Sequence, residues 1–491
     1  MNLFIKFLIC GILSSLLFPP FFIIPLGFVI FPYLFLLFTS KEFLDLKYKQ
    51  RFFLGLIYGF GFFSIYLGWI KEPFFTNEDS KNYFFYSYIL IIYCSIYFGL
   101  IFMLINLLKT KILKLISLPC LMVLAEFFCS NFSYGFPWFS FSLIHSSNII
   151  GMTIVYYTGP YGLSFLTICI FLLPAIFFIK QEKFINILYF TYLVFIIIII
   201  FLTLARNIRY KDFATKDINV TLSQLNFPIK KNINFEDRNL RLKEIIKVIE
   251  SSNSDIIIFA ENNYPFLIDE KNIEFLQTKI NDQKSLIVGA TRKENNKYYN
   301  SLLLINKNKY KKFDKKILVP FGEFIPFRKY LNFMESIAGN TDFSKGDEPR
   351  ILNYKKNINL LPIICYEIIY FWKLLNKENF NTNIIINLTN DSWFGKFSGP
   401  YQHFYFTKLR AAQFNKLTIR VSNNGITGII DNKGKIIEYI DLNQKKNLVH
   451  SLNINKEKIN YLRFHNTIPW IIIMLLIFFL FADRYYEKRK I

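Results

Sequence analysis

Charge is what this chain has least of. Only 19% of its 491 residues are Asp, Glu, Lys or Arg, while 53% are hydrophobic and 19% aromatic, a balance foreign to most water-soluble proteins. Acid is scarcer than base, 35 residues against 58. Glu126 is the one carboxylate well inside an apolar stretch. A single acid is too few for the proton relays of carriers, and hydrogen bonding between packed helices is a structural use for it. Thiols are nearly missing from the polar part of the chain: Cys10, Cys94, Cys120, Cys129 and Cys169 lie in or beside apolar runs, and Cys365 stands by itself. A disulfide within the polar part is therefore excluded. No internal repeat, low-complexity linker, metal-ligand spacing or phosphate-binding glycine loop occurs, so no metal and no cofactor is expected.

What is present falls into two regimes. Phe, Ile, Leu and Tyr run almost without interruption to about residue 205, mixed charged sequence follows to about 467, and one apolar run closes the chain. About twenty apolar residues cross a bilayer as a helix. Residues 3–18, 21–38, 52–70, 84–108, 112–128, 161–179 and 184–204 give seven candidate spans, and 468–482 an eighth. The first two are short and meet at Pro19-Pro20, where Pro20 has no amide hydrogen for a continuing helix, which predicts a tight hairpin. Residues 139–158 are apolar but carry His145, Ser146, Ser147 and Asn148, and they are read as interfacial or re-entrant. Ile9-Cys10-Gly11 hints at a lipoprotein signal, yet Phe7 and Ile9 stand where processing sites prefer Leu and a small residue, and more spans follow directly.

Basic residues orient the spans. Lys41, Lys47, Lys49 and Arg51 follow the second, Lys109, Lys111 and Lys114 the fourth, and Lys180 and Lys183 the sixth, whereas the alternate loops hold only Lys71 and Lys81 or nothing. Such loops stay in the cytoplasm. The polar region 206–467 is then extracytoplasmic, and Arg484, Lys488, Arg489 and Lys490 return the tail. The formal charge of +23 could suit nucleic acid. Lys is scattered among Asn and Ile, however, with no aromatic and basic groove, and no nucleic-acid partner is expected.

In the polar region short β-rich runs at 218–223, 255–259, 285–289, 301–305, 359–365 and 382–388 alternate with helical patterns at 235–249 and 401–414. That alternation predicts a layered α/β or α+β fold. Cys365 ends an apolar run and precedes Tyr366-Glu367, which places a thiol at the end of a buried strand. A lone cysteine is either an inert core residue or a nucleophile. Two further strand ends carry complementary groups: 256–260 leads into Glu261, and 310–314 leads into Lys315 and then Leu318-Val319-Pro320-Phe321-Gly322-Glu323.

Glu261, Lys315 and Cys365 resemble the Glu, Lys and Cys of the nitrilase superfamily. The text Lys315-Lys316-Ile317-Leu318-Val319-Pro320-Phe321-Gly322-Glu323 and Ile364-Cys365-Tyr366-Glu367 is similar to its membrane-bound apolipoprotein N-acyltransferase branch. So are Tyr299-Asn300-Ser301, Asn390-Asp391-Ser392-Trp393-Phe394-Gly395, Gly399-Pro400-Tyr401-Gln402-His403, Arg420-Val421-Ser422-Asn423-Asn424-Gly425 and Gly135-Phe136-Pro137-Trp138. The resemblance spans nearly the whole chain. It implies an α-helical membrane bundle of eight spans, seven in 1–205 and one in 468–491, carrying a nitrilase-like α-β-β-α sandwich in 206–467.

The implied activity is ping-pong transfer of an acyl chain from a phospholipid, through a thioester on Cys365, to the N-terminal amine of the diacylglyceryl cysteine of an apolipoprotein. Glu261 would accept the thiol proton and Lys315 would stabilise the oxyanion. Glu323 would orient Lys315 or share its protons, or form a plain ion pair. Tyr366 and Glu367 would shape the pocket, with an amide of their turn serving the oxyanion. The resemblance further implies a bacterial inner-membrane protein with its catalytic domain on the periplasmic side. Lys316 adjoins Lys315, and spacing to the Leu-Val-Pro-Phe-Gly-Glu text favours Lys315. His403 is the base that a rival Cys-His site would use. Ile233 and Phe235 occupy the region where the family tends to place a lid Trp, and no Pro precedes Glu261. Two other functions remain open: a membrane-tethered nitrilase-type amidase, and a transporter or a receptor for lipidated ligands.

Overall fold

The computed structural model describes residues 2–488 apart from 77, 180–181, 209–216, 230–232, 332–333, 356–357, 377 and 454–465. Lys180, Arg489 and Lys490, used above for orientation, lie outside the described residues. The chain forms two compact units. One comprises Met1–Trp69, Phe85–Tyr210 and Leu462–Ile491, the other Ile70–Phe84 and Lys211–Tyr461.

The first unit is helical: Leu3–Ser15, Gly27–Thr39, Tyr48–Tyr66, Ser87–Leu104, Lys111–Asn131, Ile149–Phe171, Glu182–Ile208 and Ile468–Lys488. Small residues let these helices approach closely. A side chain at Gly11 would meet the Tyr58 carbonyl at 2.1 Å, and one at Gly55 the Phe98 carbonyl at 2.4 Å, the packing expected where lipid gives no hydrophobic drive between helices. Phe201, Met474 and Phe478 are more than half exposed, as lipid-facing side chains would be.

The expectation of eight spans is corrected in its detail. Among the described residues, Ser80–Leu107, Lys111–Asn131 and Ile149–Phe171 are long and apolar enough to cross, and Tyr48–Tyr66 with Gly68–Thr76, bent by 52°, makes a fourth. Leu3–Ser15 and Gly27–Thr39 have 13 residues each, about 20 Å of rise against a hydrocarbon core of about 30 Å.

The sixth span also moves. The helix begins at Ile149, inside the stretch read as interfacial, because Asn148 is its N-cap and accepts from the Gly151 amide at 2.8 Å. It breaks at Gly159 (φ 69°, ψ 179°), a conformation open to glycine, just before Pro160, which has no amide hydrogen to give. Glu126 is buried and accepts from the Ser140 hydroxyl at 2.6 Å and the Phe141 amide at 3.0 Å, fastening the segment that follows Trp138.

The second unit holds β1 (Asp217–Gln224), β2 (Ile256–Phe259), β3 (Ser285–Glu294), β4 (Lys297–Asn306), β5 (Tyr310–Asp314), β6 (Leu352–Lys355), β7 (Ile358–Ile364), β8 (Ile384–Thr389), β9 (Leu417–Ser422), β10 (Thr427–Ile430), β11 (Ile436–Ile440) and β12 (Lys446–Asn453). They form two six-stranded sheets, β12-β1-β2-β3-β4-β5 and β11-β10-β9-β8-β7-β6. The centres, β1-β2-β3 and β7-β8-β9, are parallel, and their Ile-rich runs are buried on both faces as parallel strands require.

Alternation assigns the layers. Ile257, Phe259, Leu286, Val288, Leu303 and Ile305 face a core shared with Ile245, Ile249, Ile273 and Leu276 of the outer helices Phe235–Ser251 and Glu270–Thr278. On the other sheet, Phe404 and Ala411 of Ser398–Phe414 pack on Ile430. The sandwich is thus helix, sheet, sheet, helix. In such folds ligands gather beyond the carboxyl ends of parallel strands, and Glu261, Cys365 and Asp391 all follow such ends.

Candidate active site

Glu261 leaves β2 at a turn in which Asn262 takes φ 51° and Asn263 Oδ1 accepts the Ala260 amide at 3.0 Å. Gly289 on β3 lies against this turn, where a side chain would meet the Glu261 Cα at 2.6 Å. Lys315 leaves β5 directly after Asp314, whose carboxylate is held by the Ser301 hydroxyl and by Arg292. These anchors bring three charges together. Lys315 Nζ lies 2.9 Å from Glu323 Oε1 and 3.3 Å from Glu261 Oε1. Asn300 Nδ2 bridges the carboxylates, donating to each at 2.8 Å. The Val319 amide donates to Glu323 Oε2 and the Asn390 amide to Glu261 Oε2.

Two carboxylates around one ammonium leave an excess of negative charge in a buried place, and such a cluster readily takes a proton. Burial lifts the Glu261 pKa above the usual carboxylate range; Lys315 opposes the lift and Glu323 adds to it. Burial works against the Lys315 charge as well, yet Glu323 and Glu261 raise its pKa and keep it an ammonium.

Cys365 follows β7 in the left-handed region at φ 49°, a costly conformation for a residue with a Cβ. Its thiol is buried. Burial, then Glu261, push its pKa up, while Lys315 and Thr389 pull it down. The turn is held from below by Glu367, which is fully buried and accepts from the Ile364 amide (2.9 Å), the Lys316 and Ile317 amides (2.9 and 3.1 Å) and both terminal nitrogens of Arg350 (2.8 Å). Burial alone would raise the Glu367 pKa, but Arg350 and the Ile364 amide bring it below normal. Glu367 therefore joins the end of β7 to the loop that carries Lys315. Tyr366 is buried and hydrogen-bonded through its hydroxyl to Tyr370 at 3.1 Å. Lys316 turns outward, its ammonium 3.4 Å from the Asp347 carbonyl.

His403 does not sit as the base of a Cys-His pair. Its Nε2 lies 3.2 Å from the carbonyl oxygen of Cys365, and its Nδ1 lies 2.8 Å from Asp391 Oδ1. Arg420 donates to Asp391 Oδ2 at 2.6 Å and the Thr389 hydroxyl to Oδ1 at 3.0 Å. Burial would raise the Asp391 pKa, but Arg420 and His403 depress it. Sequence reasoning quoted Asn300, Asp391 and Arg420 within matching text but gave them no role. Their signal was a polar side chain on or just after a buried strand, where burial demands a partner. Among the described residues, no cluster of three His, Cys, Asp or Glu side chains could hold a metal ion.

Family models match on both units: an apolipoprotein N-acyltransferase N-terminal domain over residues 10–173 and a carbon-nitrogen hydrolase over residues 219–459. The apolipoprotein N-acyltransferase of Rickettsia typhi is 31% identical over 458 residues, covering 88% of this chain and 88% of that protein. That of Aquifex aeolicus is 28% identical over 462 residues, covering 91% of this chain and 98% of that one.

Proposed function

The chain belongs to the apolipoprotein N-acyltransferase family, and from that premise we propose that it acylates the N-terminal amine of lipoproteins through a thioester on Cys365, with a membrane phospholipid as donor. The observation that carries the reading is the buried Glu261-Lys315-Glu323 cluster, with the Cys365 turn tied to the loop of Lys315 through Glu367.

In the first half-reaction Sγ of Cys365 attacks the phospholipid ester carbonyl as Glu261 takes the thiol proton. A thiol whose pKa is raised holds no standing thiolate, so proton removal accompanies attack. Negative charge gathers on the former carbonyl oxygen and is met by Lys315, a contribution of about 3–4 kcal/mol where water is excluded. The tetrahedral species collapses, the ester C–O bond breaks, and Glu261 returns its proton to the leaving lysophospholipid oxygen. In the second half the lipoprotein amine attacks the thioester, loses a proton to Glu261, and forms the amide as the C–S bond breaks. The proton then restores the Cys365 thiol. Glu323 keeps the ammonium in place while Glu261 changes protonation.

The test incubates purified protein with labelled phospholipid and a diacylated lipopeptide. Amide product, with the label trapped on Cys365 in the absence of acceptor and located by mass spectrometry, is the expected result. Free fatty acid with no lipopeptide product would instead mark an amidase-type hydrolase. Amide formation that survives Cys365→Ser would place the acyl carrier elsewhere, and neither amide nor fatty acid from the wild-type protein would mark a binding or transport protein.

A further inference from the structure

We infer that His403 is a positioning residue for acyl transfer: it holds the main-chain carbonyl of Cys365 and so aims both the thiol and the next amide. The inference rests on the proposed role of Cys365 as the acyl carrier.

A carbonyl oxygen and a carboxylate only accept, so the 3.2 Å contact at Nε2 and the 2.8 Å contact at Nδ1 are both hydrogen bonds in the imidazolium. Burial and Arg420 oppose that form, and Asp391 favours it. In the neutral ring the proposed tautomer carries its hydrogen on Nε2, with Nδ1 accepting from Arg420 Nη2 at 3.2 Å. The Cys365–Tyr366 peptide is planar, and in a trans peptide the N–H points opposite to the C=O. Pinning the Cys365 oxygen toward His403 therefore turns the Tyr366 N–H the other way. Together with the Glu367 bonds beneath the turn, this contact braces the conformation in which Cys365 takes φ 49°.

His403 is itself held from several sides. It lies fully buried in Ser398–Phe414, with Nδ1 against Asp391 Oδ1 and 3.2 Å from Arg420 Nη2. Arg420 is fixed by the Asn387 side chain (2.7 Å) and the Ile426 carbonyl (3.2 Å). Gly425 closes the other side, because a side chain there would strike Asp391 Oδ2 at 2.0 Å. The end of β8, strand β9 and the helix thus converge through one ring on the nucleophile's own peptide. With Nε2 committed to the carbonyl, His403 orients the thiol and does not deprotonate it.

The test uses the full-length enzyme in detergent with added phospholipid and measures the pre-steady-state burst of p-nitrophenol from a p-nitrophenyl acyl ester, which reports acylation of Cys365 whatever the acceptor. His403→Met fills the space without a donor, and His403→Gln keeps an N–H at similar reach. The Met variant is expected to lose about 100-fold in burst rate, and the Gln variant to recover about 10-fold of it, because the loss is one of transition-state orientation. The ester's half-saturating concentration should change by less than about threefold, as expected when ground-state binding is untouched. A Met variant within about threefold of wild-type burst rate would overturn the inference. So would a Gln variant no faster than Met while melting at the wild-type temperature. If the Met variant does not fold, a native-melting Gln variant more than about 30-fold slower than wild type overturns it. A wild-type burst without lipopeptide product would defeat the transferase reading and leave this one standing.

Discussion

At the scale of single residues the site is governed by a charge imbalance. Lys315 faces two carboxylates, so removing either leaves a matched pair, whereas removing the lysine strands both. Glu261→Gln is expected to lower turnover by 10²–10⁴-fold, roughly the worth of a general base, without lowering the melting temperature. The sign follows from linkage: the folded pKa of Glu261 is raised by burial, so this group favours the fold below the ordinary carboxylate pKa and loses that contribution as pH rises through its folded value. At neutral pH an amide there relieves the cluster. Because the base acts ionised, wild-type turnover should fall as pH drops through the raised Glu261 pKa, and a pH-rate profile checks this. Lys315→Met should instead cost on the order of 3–5 kcal/mol, since it leaves Glu261 and Glu323 joined through Asn300 with no cation. Adding Glu323→Gln should recover part of the melting temperature and none of the activity, a non-additivity that a double-mutant cycle reads.

At the scale of elements the strand ends decide what the side chains can reach. Gly289→Ala would push β3 against the backbone of Ala260, Glu261 and Asn262, with contacts of 2.6 to 2.7 Å. Backbone cannot give way as a flexible side chain would, so Glu261 moves. An activity loss of about 100-fold is expected from a shift of about 1 Å, read as a fall in turnover with burst amplitude preserved. The strand ends themselves were legible, because the run 256–260 and the run ending at Cys365 are apolar without alternation, the mark of strands buried on both faces. What was not legible was which polar groups beyond those ends face the cleft. Glu367 adjoins Cys365 in sequence, but its carboxylate is taken up by Arg350 and three amides, and no local pattern marks Arg350 as that partner. Asn148, one of the polar residues behind the interfacial or re-entrant reading of 139–158, is the cap that starts a helix, a role its neighbours in sequence do not announce.

For the whole molecule, hydropathy separated the two regimes but overstated individual crossings. Runs of Phe and Ile mark apolar helices without saying how much of each run stays helical. Leu3–Ser15 and Gly27–Thr39 are too short to be certain spans, yet orientation does not depend on them. They are joined by a tight return in which the Ile23 amide donates to the Leu16 carbonyl at 2.9 Å, and a hairpin leaves the chain on the side where it entered. Counted as two crossings or as none, it preserves parity. If Tyr48–Tyr66, Ser87–Leu104, Lys111–Asn131, the broken helix Ile149–Phe171 and Glu182–Ile208 each cross once, the passages number five, which is odd. The polar region should therefore lie opposite the basic segment that holds Lys41, Lys47 and Lys49, which the charge rule keeps in the cytoplasm. Alkaline phosphatase, which needs an oxidising compartment to form its disulfides, reads this directly. Fused after Arg206 it should be active, and fused after Thr110, among Lys109, Lys111 and Lys114, it should be inactive. The reverse pattern would place the site in the cytoplasm, and equal activity at both points would mean that one of the three helices between Thr110 and Arg206 does not cross.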